Sequence, residues 1–308
     1  MRIVITEFMD EPAVDALRKQ FDVVYDPKLV DQPDALRSAV ADADALIVRN
    51  RTQVRGELLA AAAKVRVVGR LGVGLDNIDV PACGARGIEV IPATGANALA
   101  VAEYVIGTTM LLLRGTYGST ADVAAGKWPR NALSNGREIA GKTLGLIGFG
   151  GIGQLTAKLA RGLGMRVIAT DALLPATAAA WNAADARHAS IDGVLQEADV
   201  VSLHVPLTAE TRNLLDASRL SMMKPGAILI NTSRGGVVDE SALAAALTAG
   251  KLGGAALDVF DPEPLPAGSP LGGAPNLILT PHIAGVTRES NERVSSMIAE
   301  RVASALLK

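Results

Sequence analysis

Cysteine, histidine and aromatic residues are all scarce in this 308-residue chain. A single cysteine, Cys83, excludes an intramolecular disulfide and suits a reducing compartment, so a cytoplasmic location is expected. There are three histidines, His188, His204 and His282, and neither a CxxC pair nor an HExxH run. That excludes the common zinc arrangements, and no metal is expected. Aromatics make up 3% of the residues, so the core must be built from Ala, Val, Leu and Ile. Those residues suit parallel strands buried under helices. No basic block stands out and the net charge is -2, which leaves nucleic-acid binding without an electrostatic footprint. The opening MRIVITEFMD reads as a strand and a polar loop, not as a signal peptide. The most apolar stretch, Leu99–Leu113, carries Glu103 and is too short to span a bilayer comfortably. Neither a membrane nor a nucleic acid is therefore an expected partner.

What is present is an alternation of short apolar runs and helical stretches. Arg2–Thr6, Ala45–Val48 and Val65–Arg70 read as buried strands, with a helix near Val14–Gln20. A long helical pattern covers Ala98–Arg114, followed by a loop-rich arm through Gly126 and Trp128. A second series starts at Thr143, with strands at Leu144–Ile147, Arg166–Thr170, Val200–His204, Ala227–Asn231, Gly254–Asp258 and Leu277–Thr280. A last helix is expected at Arg288–Leu307. Two α/β series imply two doubly wound parallel-sheet domains. The expected division is 1–99 with 286–308, and 100–285. Trp128 and Trp181 carry no evident chemistry and are assigned to packing.

Gly148-Phe149-Gly150-Gly151-Ile152-Gly153 matches GxGxxG between a strand and a helix, the context in which this motif binds a dinucleotide. Gly148 permits the turn, Gly150 lets a pyrophosphate approach the backbone, and Gly153 lets helix and strand pack closely. Gly151 and Ile152 open the helix, whose free amides face the phosphates. Asp171 ends the next strand, where a carboxylate accepts bonds from the adenosine ribose hydroxyls. A 2′-phosphate would meet a like charge there, so NAD is expected rather than NADP.

Three polar residues follow later strands of the same series: Arg234, Glu263 and His282. Hydride transfer at an alcohol carbon needs a proton acceptor, which histidine supplies near neutral pH. A carboxylate beside it fixes its tautomer, and an arginine grips a substrate carboxylate with two prongs. Spacing alone leaves the bland reading open: a core histidine, a surface arginine and a loop glutamate.

The segments Gly69–Asp79, Leu144–Gly153, His204–Thr208, Ile230–Glu240 and Thr280–Gly285 resemble the D-2-hydroxyacid dehydrogenase family, with the phosphoglycerate dehydrogenase branch nearest among its large groups. The resemblance runs over essentially the whole chain. It implies a Rossmann NAD domain inserted into a flavodoxin-like substrate domain, and a homodimer formed through residues 99–130. It assigns Arg234 to substrate orientation, Glu263 to the histidine partner and His282 to acid/base catalysis. It puts the backbone of Val73 and Gly74 at the substrate carboxylate, His204, Pro206 and Thr211 near the adenine side, and Asp258 and Gly285 near the nicotinamide. Thr232 and Ser233 are further expected cofactor contacts, and Asn97 a substrate contact. The end at Lys308 leaves no room for a C-terminal regulatory domain, so serine feedback is not expected.

The substrate implied is a small anionic 2-hydroxy or 2-keto acid. Arg49 and Arg51 follow a strand in a loop that this family places near the substrate mouth, and Arg70 adds to the same patch. Two arginines there suit a second anionic group, phosphate or sulfonate; a solvated charge pair is the alternative. Glu7–Asp10, Arg49–Thr52 and Thr287–Val294 also resemble the family's sulfolactate dehydrogenases. Sulfolactate and 3-phosphoglycerate are thus candidate substrate types, beside glycerate/hydroxypyruvate. A formate dehydrogenase is disfavoured by Glu263, since the family's formate enzymes use glutamine there. The competing class is a non-enzymatic, corepressor-like NAD sensor.

Overall fold

The computed structural model describes residues 1–308 and divides into two compact units, Met1–Asn97 with Val286–Lys308, and Ala98–Gly285. No single helix is long and apolar enough to cross a membrane.

The first unit is built on five parallel strands: β1 (Arg2–Ile5), β2 (Asp22–Tyr25), β3 (Ala45–Val48), β4 (Val67–Arg70) and β5 (Glu89–Pro92). Their spatial order is β2-β1-β3-β4-β5, the flavodoxin-like order. Side chains alternate across the pleat. Ile3, Ile5 and Ile47 pack with the helices Glu11–Arg18 and Arg288–Leu306. Val4, Leu46, Val48 and Val68 pack against Leu36, Val40, Leu58, Leu59 and Cys83 on the other side. Burial on both faces explains why β3 reads as an unbroken apolar run. The last helix lies so close to β4 that a Cβ on Gly69 would come within 2.7 Å of Val302. Two strands of this unit escape sequence reading. In β2 no side chain is fully buried, as at a sheet edge, and β5 mixes Glu89 and Pro92 with two apolar residues.

The second unit holds seven parallel strands: β6 (Thr143–Ile147), β7 (Arg166–Thr170), β8 (Arg187–His188), β9 (Val200–Leu203), β10 (Ile228–Asn231), β11 (Gly254–Leu257) and β12 (Leu277–Leu279). Their order, β12-β11-β10-β9-β6-β7-β8, is the doubly wound dinucleotide-binding order extended by one strand. The helices Ala98–Arg114 and Gly151–Gly162 cover one face through Val105, Ile106, Leu113, Ala157 and Ala160. Val194, Leu195, Leu220, Leu243 and Leu247 cover the other.

Trp181 is buried and stacks on Phe149 with ring centroids 4.6 Å apart, so packing accounts for it. Trp128 does not pack: it is 77% exposed in the arm after the long helix. Within one chain the expected packing role of Trp128 is thereby corrected, because the arm carries no core for the ring to enter.

Candidate active site

Strand order in the second unit reverses between β9 and β6, and ligands in such sheets bind outside the carboxyl ends of the strands at that point. The glycine loop sits there. Gly148 has φ +99, and a Cβ on it would lie 2.6 Å from the His204 carbonyl oxygen. A Cβ on Gly153 would lie 2.5 Å from the Gly148 oxygen. Gly150 caps the helix Gly151–Gly162 without a side chain, and a Cβ there would meet no protein atom within 4 Å. The first-turn amides of Gly151, Ile152 and Gly153 therefore have no capping acceptor, which fits a pyrophosphate. Thr232 Oγ1 is buried with no partner, an orphan of the kind a bound polar ligand satisfies.

Asp171 fixes the loop from the side. One oxygen accepts from Phe149 N at 2.7 Å, the other from Leu173 N at 2.8 Å and Leu174 N at 3.2 Å. The carboxylate remains partly accessible, as ribose binding requires. His204 contacts Ser202 Oγ through Nε2 at 3.0 Å, and burial pushes its pKa down to about 4, so the ring is neutral. Thr211 Oγ1 donates to Pro206 O at 2.6 Å and accepts from Thr208 N at 2.7 Å, shaping the turn after β9.

Arg234, Glu263 and His282 all lie beyond strand ends of this same sheet. Asn231 shapes the first turn: its Nδ2 donates to Arg234 O at 2.9 Å, and its Oδ1 accepts from Ser233 N and Oγ at 3.0 and 2.8 Å. Arg234 Nη1 donates to Ser233 O at 2.6 Å. Gly235 has no room for a Cβ against the Phe260 carbonyl, so the Arg234 turn backs onto the loop that carries Glu263. Glu263 Oε2 lies 2.8 Å from His282 Nδ1, and its other oxygen accepts from Phe260 N at 3.1 Å. A histidine whose Nδ1–H is taken by a carboxylate presents Nε2 as a proton acceptor. Asp258 is buried. Its carboxylate accepts from Thr280 Oγ1 at 2.6 Å, Ile283 N at 2.8 Å and Ala284 N at 2.7 Å. It therefore organises the loop that carries His282 and ends at Gly285.

In the first unit, the switch in strand order falls between β1 and β3, and the Arg49–Thr52 loop follows β3 there. Buried Glu7 accepts from three backbone amides of that loop: Arg49 N at 2.9 Å, Arg51 N at 3.1 Å and Thr52 N at 3.0 Å. Asn77 Nδ2 donates to Arg49 O and Thr52 O at 3.1 and 2.7 Å. The side chains of this loop differ. Arg49 Nη2 donates to Asn291 Oδ1 at 2.9 Å, and its guanidinium lies 5.7 Å from the Phe8 ring centre. Burial pulls the Arg49 pKa down, with Glu7 opposing. Arg51 instead pairs with Asp31 in the open. Arg70 curls onto its own turn, donating to Gly74 O at 2.9 Å and Leu71 O at 2.7 Å. That clamp shapes the turn bearing Val73 and Gly74. Asn97 Oδ1 is buried without a partner.

Sequence reading missed Glu7, Asn77, Asn231, Thr280 and Asn291. Each lies inside a segment that carries the family resemblance, but its role, a bond to another residue's backbone or side chain, shows only in the fold.

The family described as D-isomer specific 2-hydroxyacid dehydrogenase, NAD binding domain, matches residues 106–284. The chain is 55% identical over 304 residues to an (S)-sulfolactate dehydrogenase of Chromohalobacter salexigens, covering 99% of this chain and 98% of the relative. It is 40% identical over 306 residues to a D-3-phosphoglycerate dehydrogenase of Mycobacterium tuberculosis, covering 99% of this chain but only 56% of that relative. The chain thus spans about half the length of that phosphoglycerate enzyme. Among solved structures, a glyoxylate reductase of Paecilomyes thermophila superposes with a TM-score of 0.86 at 30% identity, covering 100% of this chain and 96% of that one. With the glycine loop at the switch point of its sheet, the chain belongs to the D-isomer specific 2-hydroxyacid dehydrogenase family, as an NAD-dependent oxidoreductase acting on CH–OH groups.

Proposed function

We propose that the substrate is (S)-sulfolactate, oxidised reversibly to 3-sulfopyruvate. The observation that carries this reading is the end-to-end identity with a sulfolactate dehydrogenase, joined to a half-buried Arg49 in the switch-point loop of the first unit. The stereochemistry agrees. A CH2–SO3⁻ group outranks a carboxylate in naming priority, where a methyl does not, so (S)-sulfolactate has the spatial arrangement of D-lactate.

Bound NAD supplies the hydride acceptor. The chain's own residues handle the proton and the charges. His282 Nε2 takes the hydroxyl proton as the C2 hydride leaves, and returns it in reduction. Glu263, at 2.8 Å from Nδ1, holds the ring and fixes the tautomer that leaves Nε2 free to accept. Arg234 holds the carboxylate and polarises the C2 oxygen. The amides of Val73 and Gly74 take the carboxylate, and Arg49 takes the sulfonate. Arg51 contributes little, because Asp31 already neutralises it. Gly148–Gly153 would hold the cofactor's pyrophosphate, Asp171 its ribose, and the Thr232 hydroxyl, buried without a partner, would be among the remaining contacts. The same reading makes the protein a cytoplasmic homodimer. Support for the dimer is the apolar surface on the helix Ala98–Arg114 and its arm, where Leu99, Met110, Leu111, Tyr117, Val123 and Trp128 are exposed.

The test is a comparison of two keto acids with NADH, before and after Arg49→Ala. With 3-sulfopyruvate, KM should rise about 30-fold, the worth of one charge-assisted interaction. With glyoxylate, which has no second anion, KM should stay within about twofold. A wild-type enzyme that prefers glyoxylate, or an Arg49→Ala effect equal for both acids, refutes the sulfonate reading.

A further inference from the structure

We propose that Tyr104 is a positioning residue for the acid/base loop, acting through Thr280 and Asp258; this rests on the reading of His282 as the proton acceptor. His282 has φ +56, a left-handed conformation that histidine adopts at a cost. A strained residue at a site keeps its geometry only if its surroundings over-determine it. Here the surroundings are a short polar chain. The His282 amide donates to Asp258 O at 2.9 Å and lies 3.0 Å from Thr280 O. The two following amides, Ile283 N and Ala284 N, are both taken by the Asp258 carboxylate. Three successive amides thus converge on one residue, and the loop's shape follows the position of that carboxylate.

What fixes the carboxylate is Thr280, whose hydroxyl donates to Oδ1 at 2.6 Å. A hydroxyl has one proton. Thr280 must therefore accept in its other contact, the 2.6 Å approach of Tyr104 Oη. Tyr104 is the donor, and burial raises its phenol above the ordinary value, which keeps the proton on it. The chain has one direction: Tyr104 to Thr280 to Asp258 to the amides beyond His282. Its far end is anchored in the helix Ala98–Arg114. Val101, Ala102, Val105 and Ile106 around Tyr104 are buried, and the Thr108 hydroxyl donates to Tyr104 O at 2.8 Å. Tyr104 thus ties the His282 loop to a rigid element. A phenylalanine would keep the packing and remove the tie.

The experiment uses the full chain in four variants, Tyr104→Phe, Thr280→Val, Thr280→Ser and the double variant Tyr104→Phe with Thr280→Val, and takes His282→Ala as the reference for lost proton transfer. Turnover is measured with NADH and whichever of 3-sulfopyruvate, hydroxypyruvate and glyoxylate reacts fastest, since the proton step is common to all. Cofactor affinity is read from the change in NADH fluorescence on titration with each variant. Tyr104→Phe and Thr280→Val should each lower kcat about five- to tenfold, with KM and NADH affinity within about twofold. The double variant should be no worse than either single, as expected of one chain of bonds. Thr280→Ser, which keeps the hydroxyl, should recover most of kcat. It also keeps the question answerable if Tyr104→Phe folds poorly. Unchanged kcat in Tyr104→Phe and Thr280→Val, or a loss confined to melting temperature, overturns the proposal while leaving the role of His282 standing. Wild-type turnover in His282→Ala overturns the acid/base reading itself, and the positioning role with it.

Discussion

The Arg49–Thr52 loop and the glycine loop are built alike and serve opposite ends. Each follows a strand at the switch point of its own parallel sheet. A carboxylate that accepts three backbone amides ties each down, but differently: Glu7 takes all three from the Arg49–Thr52 loop, whereas Asp171 takes one from the glycine loop, Phe149 N, and two from its own turn, Leu173 N and Leu174 N. The difference is exposure. Glu7 is 5% exposed, so its charge is used up inside the fold. Asp171 keeps an accessible edge, so it can hold a loop and meet a ligand at once. One scaffold device gives a purely structural carboxylate in one unit and a dual-purpose one in the other.

Paired substitutions break the symmetry. Glu7→Gln puts an NH2 group against an amide N–H and weakens the other bonds. The expected loss is about 3 kcal/mol of stability in the first unit, the worth of one or two charge-assisted bonds. The KM for the acid should rise as Arg49 loses its place. Asp171→Asn should cost less stability and weaken NADH binding about tenfold. Denaturant melts and NADH titrations of both variants separate the two roles. Equal stability losses, or no change in NADH affinity for Asp171→Asn, would show that accessibility does not divide them.

The unequal legibility of these two loops in the sequence has a physical cause. The glycine loop and Asp171 lie within one strand–helix–strand unit, so the elements that give them meaning stand side by side in the chain. Glu7 meets Arg49 N across 42 residues, and Tyr104 meets Thr280 across 176. No local pattern signals such bonds. Arg234, Glu263 and His282 are intermediate. Each was visible as a polar residue after a strand, but the resemblance was needed to join them, because their partnership depends on the order of β10, β11 and β12 in the sheet. Arg49 and Arg51 looked equivalent in RNRT. What distinguishes them is Asp31 and Asn291, which only the fold brings near.

A second contrast is in acid. All three histidines belong to the inserted unit, and burial holds His204 at about 4 against 6.5 when unfolded. A depressed histidine favours the folded state fully above pH 6.5. That advantage is lost as pH falls towards 4, where the unfolded chain takes up a proton that the folded one refuses. By pH 5 the inserted unit should have lost about 2 kcal/mol relative to pH 7.5. Its melting transition should move down towards, or below, that of the first unit, as calorimetry at the two pH values would record. His204→Gln should remove this shift. A transition that moves as much in the variant would assign the acid sensitivity elsewhere.

The smallest expected effect falls on the residue that the sequence ranked beside Arg49. Arg51 and Asp31 have side chains 57% and 52% exposed, and each shifts the other's pKa, up for the arginine and down for the aspartate. Such a pair, screened by water and salt, contributes little to stability. It also leaves no uncompensated charge for a substrate to find. Arg51→Ala should therefore change KM for 3-sulfopyruvate by less than about twofold and leave the melt unmoved. Asp31→Ala is the sharper arm. It frees the Arg51 guanidinium while Glu7 still holds the backbone, so it should lower KM slightly and make it more sensitive to salt. A large rise in KM for Arg51→Ala would mean that the ion pair opens in use. Both arginines would then face the acid, with Asp31 as the latch on one of them.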